Sequence, residues 1–175
     1  MPTRLQAALG LLAKKGFTLC GEINDADVVV INTCGFIDAA KSEAIDTILE
    51  MAELKKSGRL GKIIVTGCLT ERYRDEVTAQ LPEVDAILGV GSFGDIVDAV
   101  NAALAGENVS LFGDQNAPVE ETPRVVTTGP GWAYLRIAEG CNNFCAFCAI
   151  PYIRGRYRSR TLENILEEAR DLALH

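Results

Sequence analysis

Three cysteines lie within eight residues, in the run Cys141-Asn-Asn-Phe-Cys145-Ala-Phe-Cys148, and no other feature restricts this 175-residue chain as tightly. The spacing C-x3-C-x2-C puts three thiols on one short loop. Three such thiolates can hold three corners of an iron–sulfur cluster and leave the fourth iron open for chemistry. Buried cysteines also serve as small hydrophobes, but the flanking Asn142, Asn143 and Gly140 make a poor core pattern. A zinc knuckle is the closer rival. It lacks a fourth ligand nearby, because the only histidine, His175, is the last residue of the sequence. The same fact removes Ser/His/Asp triads. The chain has six cysteines, and no signal peptide or long uncharged apolar run. A cytoplasmic location with no membrane partner is therefore expected, and cysteines in that reducing compartment point to metal or catalysis before disulfides. A net charge of -7 argues against a global electrostatic grip on nucleic acid.

The rest of the chain alternates in period. Leu5 to Lys15 has helical spacing, Gly16 is a plausible stop, and Phe17 to Cys20 is a short strand candidate. Val28 to Ile31 is apolar and β-branched throughout, as suits a strand buried on both faces of a parallel sheet. A helix is predicted from about Ile37 to Lys56, a strand from Lys62 to Thr66, and a mostly helical stretch from Leu69 to Leu81. A strand from Val84 to Leu88, a helix from about Asp95 to Leu104 and a last strand from Val109 to Phe112 complete the pattern. The fold class expected is α/β, a doubly wound parallel sheet, over residues 1–112. Residues 113–131, rich in Pro, Glu and Gly, read as a linker, with Pro130 among them. Residues 132–175 read as a strand, Trp132 to Ala138, then the cysteine loop, an arginine-rich segment and a helix opening at Thr161. One strand and one helix cannot bury a core, so this unit reads as the start of a domain.

Cys34 and Cys68 each follow a predicted parallel strand at its carboxyl end, where open α/β sheets bind ligands. As a pair at equivalent strand ends they are candidate metal ligands. Gly89-Val-Gly-Ser-Phe-Gly94 has the G-x-G-x-x-G form between a strand and a helix, with Asp114 where a ribose-binding acid would fall. A nucleotide-binding α/β module is therefore an alternative function. Against it, the loop follows a late strand, so a tight strand-to-helix turn is the simpler reading. Arg154, Arg156, Arg158 and Arg160 alternate with other residues, and would share one face if extended.

With Phe147 just before the last cysteine, the loop resembles the radical S-adenosylmethionine signature. Its flanks, Ala133 to Asn143 and Ala149 to Arg160, resemble the methylthiotransferases, as do Asp25 to Cys34 and Gly67-Cys68. That resemblance implies an N-terminal α/β domain followed by the first βα unit of a partial TIM-like barrel. It implies two 4Fe-4S clusters and S-adenosyl-L-methionine. Cys141, Cys145 and Cys148 would hold the cluster whose open iron binds S-adenosylmethionine, and Phe147 would lie beside the adenine. Cys34 and Cys68 match two of three cysteines that hold a second cluster in the family. The implied reaction inserts sulfur at an unactivated carbon and methylates it, with an electron donor as partner. The stretch Asn32 to Ile45 is similar to the branch that modifies an aspartate of a small-subunit ribosomal protein; the branch acting on adenosine in transfer RNA is the alternative. The family's first cluster cysteine sits in a Gly-Cys-x-Lys-Asn-type segment upstream of the first helix, and no such segment occurs here. Cys20 stands in a context the family does not use for ligation. By resemblance the chain is expected to be a fragment, lacking that first strand and most of the barrel, with an incomplete second cluster and no turnover of its own. A non-catalytic interaction fragment is the remaining alternative.

Overall fold

The computed structural model describes residues 2–129 and 131–174, so Pro130 and His175 lie outside the described residues. Four strands form a wholly parallel sheet in the order β1-β2-β3-β4: β1 (Val28–Thr33), β2 (Lys62–Gly67), β3 (Ala86–Leu88) and β4 (Val109–Leu111). Of the two β-branched runs read as buried strands, the one on β2 is central, and Ile63, Ile64 and Val65 have no exposed surface; β1 lies at the edge of the described sheet, so Val28, Val29 and Val30 are only half-buried. Successive side chains of a strand point to opposite faces, and the two faces carry separate cores. Ile31, Ile63, Val65 and Ile87 pack with Ile48 and Met51 of helix α2 (Asp38–Lys56). The same face is covered by Leu69 and Val77 of the short helices α3 (Cys68–Arg72) and α4 (Arg74–Gln80). On the other face Ile64, Ala86 and Leu88 meet Ala8 and Leu12 of α1 (Pro2–Lys14) and Ile96, Ala99 and Val100 of α5 (Ile96–Leu104). Each fully buried Ile or Leu contributes about 1.5–3 kcal/mol by transfer from water, which is why helices on both faces are held without long loops.

The sheet's amino-terminal end is fixed by one carboxylate. Asp85, at 5% side-chain exposure, accepts from Lys55 Nζ at 2.5 Å, Lys62 Nζ at 3.0 Å and the Ile63 backbone N–H at 2.9 Å. Burial alone would raise its pKa, but Lys55, the Ile63 amide and Lys62 together hold it below the usual carboxylate range. A depressed folded-state pKa gives stability that is present above the unfolded value, about 3.9, and lost as pH falls through the folded one. Stability measured by urea titration is therefore expected to fall below about pH 4, more steeply in the parent than in Asp85→Asn. Parallel pH profiles for the two would remove Asp85 as the cause.

Three sequence expectations change. The helix predicted over Leu69 to Leu81 is broken at Tyr73, whose φ of -126° and ψ of 49° lie outside the helical region. Phe17 to Cys20 is irregular, and Cys20 is exposed. The strand predicted from Trp132 to Ala138 is reduced to a two-residue strand, β5 (Ala138–Glu139), paired antiparallel with β6 (Arg158–Ser159). Between β5 and β6 lies helix α6 (Ile150–Arg154), and after them α7 (Leu162–Ala173), capped by Thr161 Oγ1 accepting from the Asn164 amide. Residues 113–129 run back over the first unit: the Val125 amide donates to Gln6 O at 2.9 Å and Gln6 Nε2 to Thr127 Oγ1 at 3.1 Å. Among the described residues no helix is long and apolar enough to cross a membrane.

Candidate functional site

The carboxyl edge of the sheet brings two cysteines to one place. Thr33 is the register partner of Gly67, so Cys34 and Cys68 are the next residues along neighbouring parallel strands. Gly67 has φ 116° and ψ -155°, and a Cβ there would meet Thr33 N at 2.8 Å. That backbone region is essentially restricted to glycine, and it lets the chain turn from β2 directly into α3 with Cys68 as its first residue. Thr33 Oγ1 donates to Thr66 O at 2.8 Å, and Arg72 Nη1 donates to Gly35 O at 2.9 Å. A Cβ on Gly35 would lie 2.6 Å from Cys68 O, so the two cysteine-bearing turns touch backbone to backbone.

The triple-cysteine loop leaves β5 at Gly140, which has φ 75°. The Cys141 amide donates to Gly155 O at 3.2 Å, the Tyr157 amide to Asn142 Oδ1 at 3.0 Å, and the Cys148 amide to Cys145 O at 2.9 Å. These bonds tie both ends of the loop, while Phe144 at its crown takes a left-handed φ of 47°. Cys145 is exposed; Cys141 and Cys148 are half-buried; Cys68 is buried; Cys34 is half-buried; all are free thiols. Phe147 is 94% exposed, so it packs against nothing in the chain.

Helix α6, which follows the loop directly, docks on Cys68. Ile153 is 1% exposed in a cluster with Cys68 and Val90, flanked by Phe36 and Ala149. Arg154 Nη2 donates to Cys68 Sγ at 3.5 Å, and its guanidinium lies 5.4 Å from the centre of the Phe36 ring. Arg154, six residues after Cys148 in sequence, thus ties the segment that leaves the triple-cysteine loop to Cys68. Nothing in the spacing of the arginine run marks this contact. Arg154 ends a helix, so the four arginines do not share one extended face. Arg160 instead pairs with Glu121 and Glu168, and Arg158 Nη1 donates to Arg154 O and Arg156 O.

Glu139, the residue before Gly140, is a second member that the sequence did not single out. Its side chain is 2% exposed and its Oε1 accepts from Arg4 Nε and Arg136 Nη1, both at 3.2 Å. Arg4 also donates to Val90 O at 3.0 Å, linking α1, the loop after β3 and the root of the cysteine loop. Burial would raise the Glu139 pKa, but Arg4, Arg136 and Arg154 outweigh it and keep the carboxyl below its ordinary range.

The glycine-rich turn is filled by the protein itself. The Val90 amide donates to Glu71 Oε2 at 2.6 Å, and Glu71 also accepts from Gln115 and Arg74. A Cβ on Gly91 would lie 2.8 Å from Asp114 C, and one on Gly94 would lie 2.5 Å from Glu120 Oε2. Asp114 is spent on its own turn, accepting from the Asn116 amide at 2.8 Å. Internal carboxylates and backbone stand where a pyrophosphate would have to approach, and the cavity beside the turn is about 70 Å³. A dinucleotide does not fit.

Among the described residues no three Cys, His, Asp or Glu side chains converge as a metal site. In donor chemistry, though, the residues suit thiolate-held iron–sulfur groups. Three free thiols share one hydrogen-bonded loop, and two more stand at adjacent strand ends, one of them receiving an arginine N–H. A third protein ligand for the strand-end pair is not found among the described residues.

Two family models match the chain: one described as Uncharacterized protein family UPF0004 over residues 4–89, and the Radical SAM superfamily over residues 135–175. The chain is 48% identical over 169 residues to a protein of Lachnoclostridium phytofermentans called ribosomal protein uS12 methylthiotransferase RimO, covering 96% of this chain and 38% of that protein. A protein of the same name from Clostridioides difficile is 48% identical over 167 residues, covering 94% and 37%. One from Symbiobacterium thermophilum is 44% identical over 169 residues, covering 96% and 35%. The chain thus spans a little over a third of the length of the curated relatives it matches.

Proposed function

Because this chain belongs to the radical S-adenosylmethionine methylthiotransferase family, we propose that it supplies both cysteine sites of an enzyme that methylthiolates ribosomal protein uS12. The observation that supports the reading is the docking of α6, the helix that follows the triple-cysteine loop, on Cys68. A reaction that breaks a bond at an unactivated carbon has no acidic proton to remove, so a cofactor must do the hard step and the protein must position it.

Cys141, Cys145 and Cys148 would hold one 4Fe-4S cluster, and Cys34 and Cys68 would hold a second with a further ligand. Such clusters supply electrons from an external donor and, at an open iron, a seat for S-adenosylmethionine. The chain's own contribution is placement. The bonds from Cys141 to Gly155 and from Tyr157 to Asn142 hold the loop's ends, and Glu139 anchors its root. Phe147, with its ring free, is available to cover an adenine face. The uS12 substrate is inferred from what the relatives are called, and the reducing cytoplasm suits six free thiols.

Anaerobic reconstitution with ferrous iron and sulfide, followed by iron analysis and electron paramagnetic resonance of the reduced sample, tests the reading. Cys141→Ala is expected to lose about four irons per chain and the signal that responds to S-adenosylmethionine. An unaltered iron count and signal in that variant would remove Cys141 from the site.

A further inference from the structure

We propose that Asn116 is a positioning residue for the triple-cysteine loop, acting through the peptide plane between Gly155 and Arg156. The inference rests on the cluster reading of Cys141, Cys145 and Cys148 and does not involve the strand-end pair. Asn116 Oδ1 accepts from the Arg156 amide at 2.8 Å, across 40 positions of sequence. The carbonyl of that same peptide unit, Gly155 O, accepts from the Cys141 amide at 3.2 Å. One planar group is thus held at both edges. In a trans peptide the N–H and C=O point in opposite directions and turn together, so fixing the N–H with Asn116 aims the carbonyl at Cys141.

The plane needs such a hold. Gly155 has φ 72° and ψ -164°, and glycine lets the following peptide rotate with little steric resistance. A larger residue cannot take its place: a Cβ on Gly155 would lie 2.6 Å from Asn116 Oδ1 and 2.7 Å from Gln115 O, and one on Gly140 would lie 2.6 Å from Gly155 O. The two glycines let the backbones meet, and the side chain of Asn116 supplies the orientation that glycine does not. Asn116 is itself fixed. Its amide donates to Asp114 Oδ1 at 2.8 Å. Neighbouring Gln115 Nε2 donates at 2.5 Å to Glu71 of α3, whose side chain has no exposed surface. The hold on Cys141 is thereby set in the frame of the parallel sheet. Groups behind the ligands that fix their placement are what a cofactor site requires of its surroundings.

The test compares the full chain with Asn116→Ala and Asn116→Asp, the second of which keeps an accepting oxygen. Asn116 is exposed and outside both cores of the sheet, so melting temperatures within about 2 °C of one another are expected. In the metal-free proteins, hydrogen exchange at the Cys141 amide should be about fivefold faster in Asn116→Ala and close to the parent in Asn116→Asp. After anaerobic reconstitution, S-adenosylmethionine is titrated against the electron paramagnetic resonance signal of the reduced cluster. Asn116→Ala should need about fivefold more to reach half of the change at equal iron content, and Asn116→Asp should recover the parent value. Unchanged protection of Cys141 in Asn116→Ala overturns the proposal and leaves the cluster reading intact. Faster exchange with an unaltered titration also overturns it, since the bond would then only stabilise the turn. A parent chain that takes up no iron overturns the cluster reading, and the proposal falls with it.

Discussion

Replacing Gly67 by Ala is expected to be the most damaging single change in the sheet. The residue's φ of 116° and ψ of -155° cost a side-chain-bearing residue on the order of 1–3 kcal/mol. The added methyl would also press on the Thr33 backbone, and overpacking of that kind costs about 1–3 kcal/mol more. Relief requires β1 and β2 to part at the point where Cys34 and Cys68 leave them. The expected result is a fall in melting temperature of about 10 °C, together with loss of iron uptake at the strand-end site. A Gly67→Ala protein that melts within about 2 °C of the parent would show that the turn relaxes at little cost.

Glu139→Ala should cost about 3–5 kcal/mol, because it strips the partner from two buried or half-buried arginines. The loss would not be spread evenly. Arg4 holds the carboxylate from α1, and Glu139 pairs with Arg158 in the β5–β6 ladder. The root of the cysteine loop should therefore loosen before the parallel sheet does. Hydrogen exchange separates the two: the Cys141 amide is expected to lose protection while the amides of β2 keep theirs. Equal loss at both would mean that Glu139 stabilises the whole chain and not the loop. Glu139→Gln, which keeps the size and one acceptor, should be the milder change.

The parallel sheet could be read from its β-branched runs, although only β2 and β3 are buried on both faces and β1 and β4 are half-exposed edges. Val28 to Ile31 and Lys62 to Thr66 have β-branched runs that suit little else. The positions of Cys34 and Cys68 followed from those strands. Trp132 to Ala138 is largely apolar and aromatic, with Ile137 its one β-branched residue, and a strand is made by its neighbour's hydrogen bonds as much as by propensity. Only Ala138 and Glu139 form a ladder; Trp132, Tyr134 and Ile137 remain exposed. The G-x-G-x-x-G turn was ambiguous for a related reason. Glycines allow a close approach without specifying what approaches, and here it is Glu71, Glu120 and the chain at Gly113. The alternating arginines would share a face only in an extended segment, whereas Arg154 closes α6, whose first turn holds Pro151. Arg4 and Glu139 are 135 positions apart, and no local pattern announces such a pair.

The in-register pairing of β1 with β2 also limits how relatives of this chain can differ in length. One residue inserted into either strand would carry its cysteine about 3.3 Å along the sheet and turn it to the opposite face. The two strands can gain or lose residues only together, or the pair Thr33 and Gly67 no longer ends them at the same height. Helix α2, which joins them, is under no such restriction: a whole turn added near Ser57 would leave both strand ends where they are. Insertions between the two cysteines should therefore collect at the far end of the sheet, around residues 57–61, and be absent from residues 28–34 and 62–68.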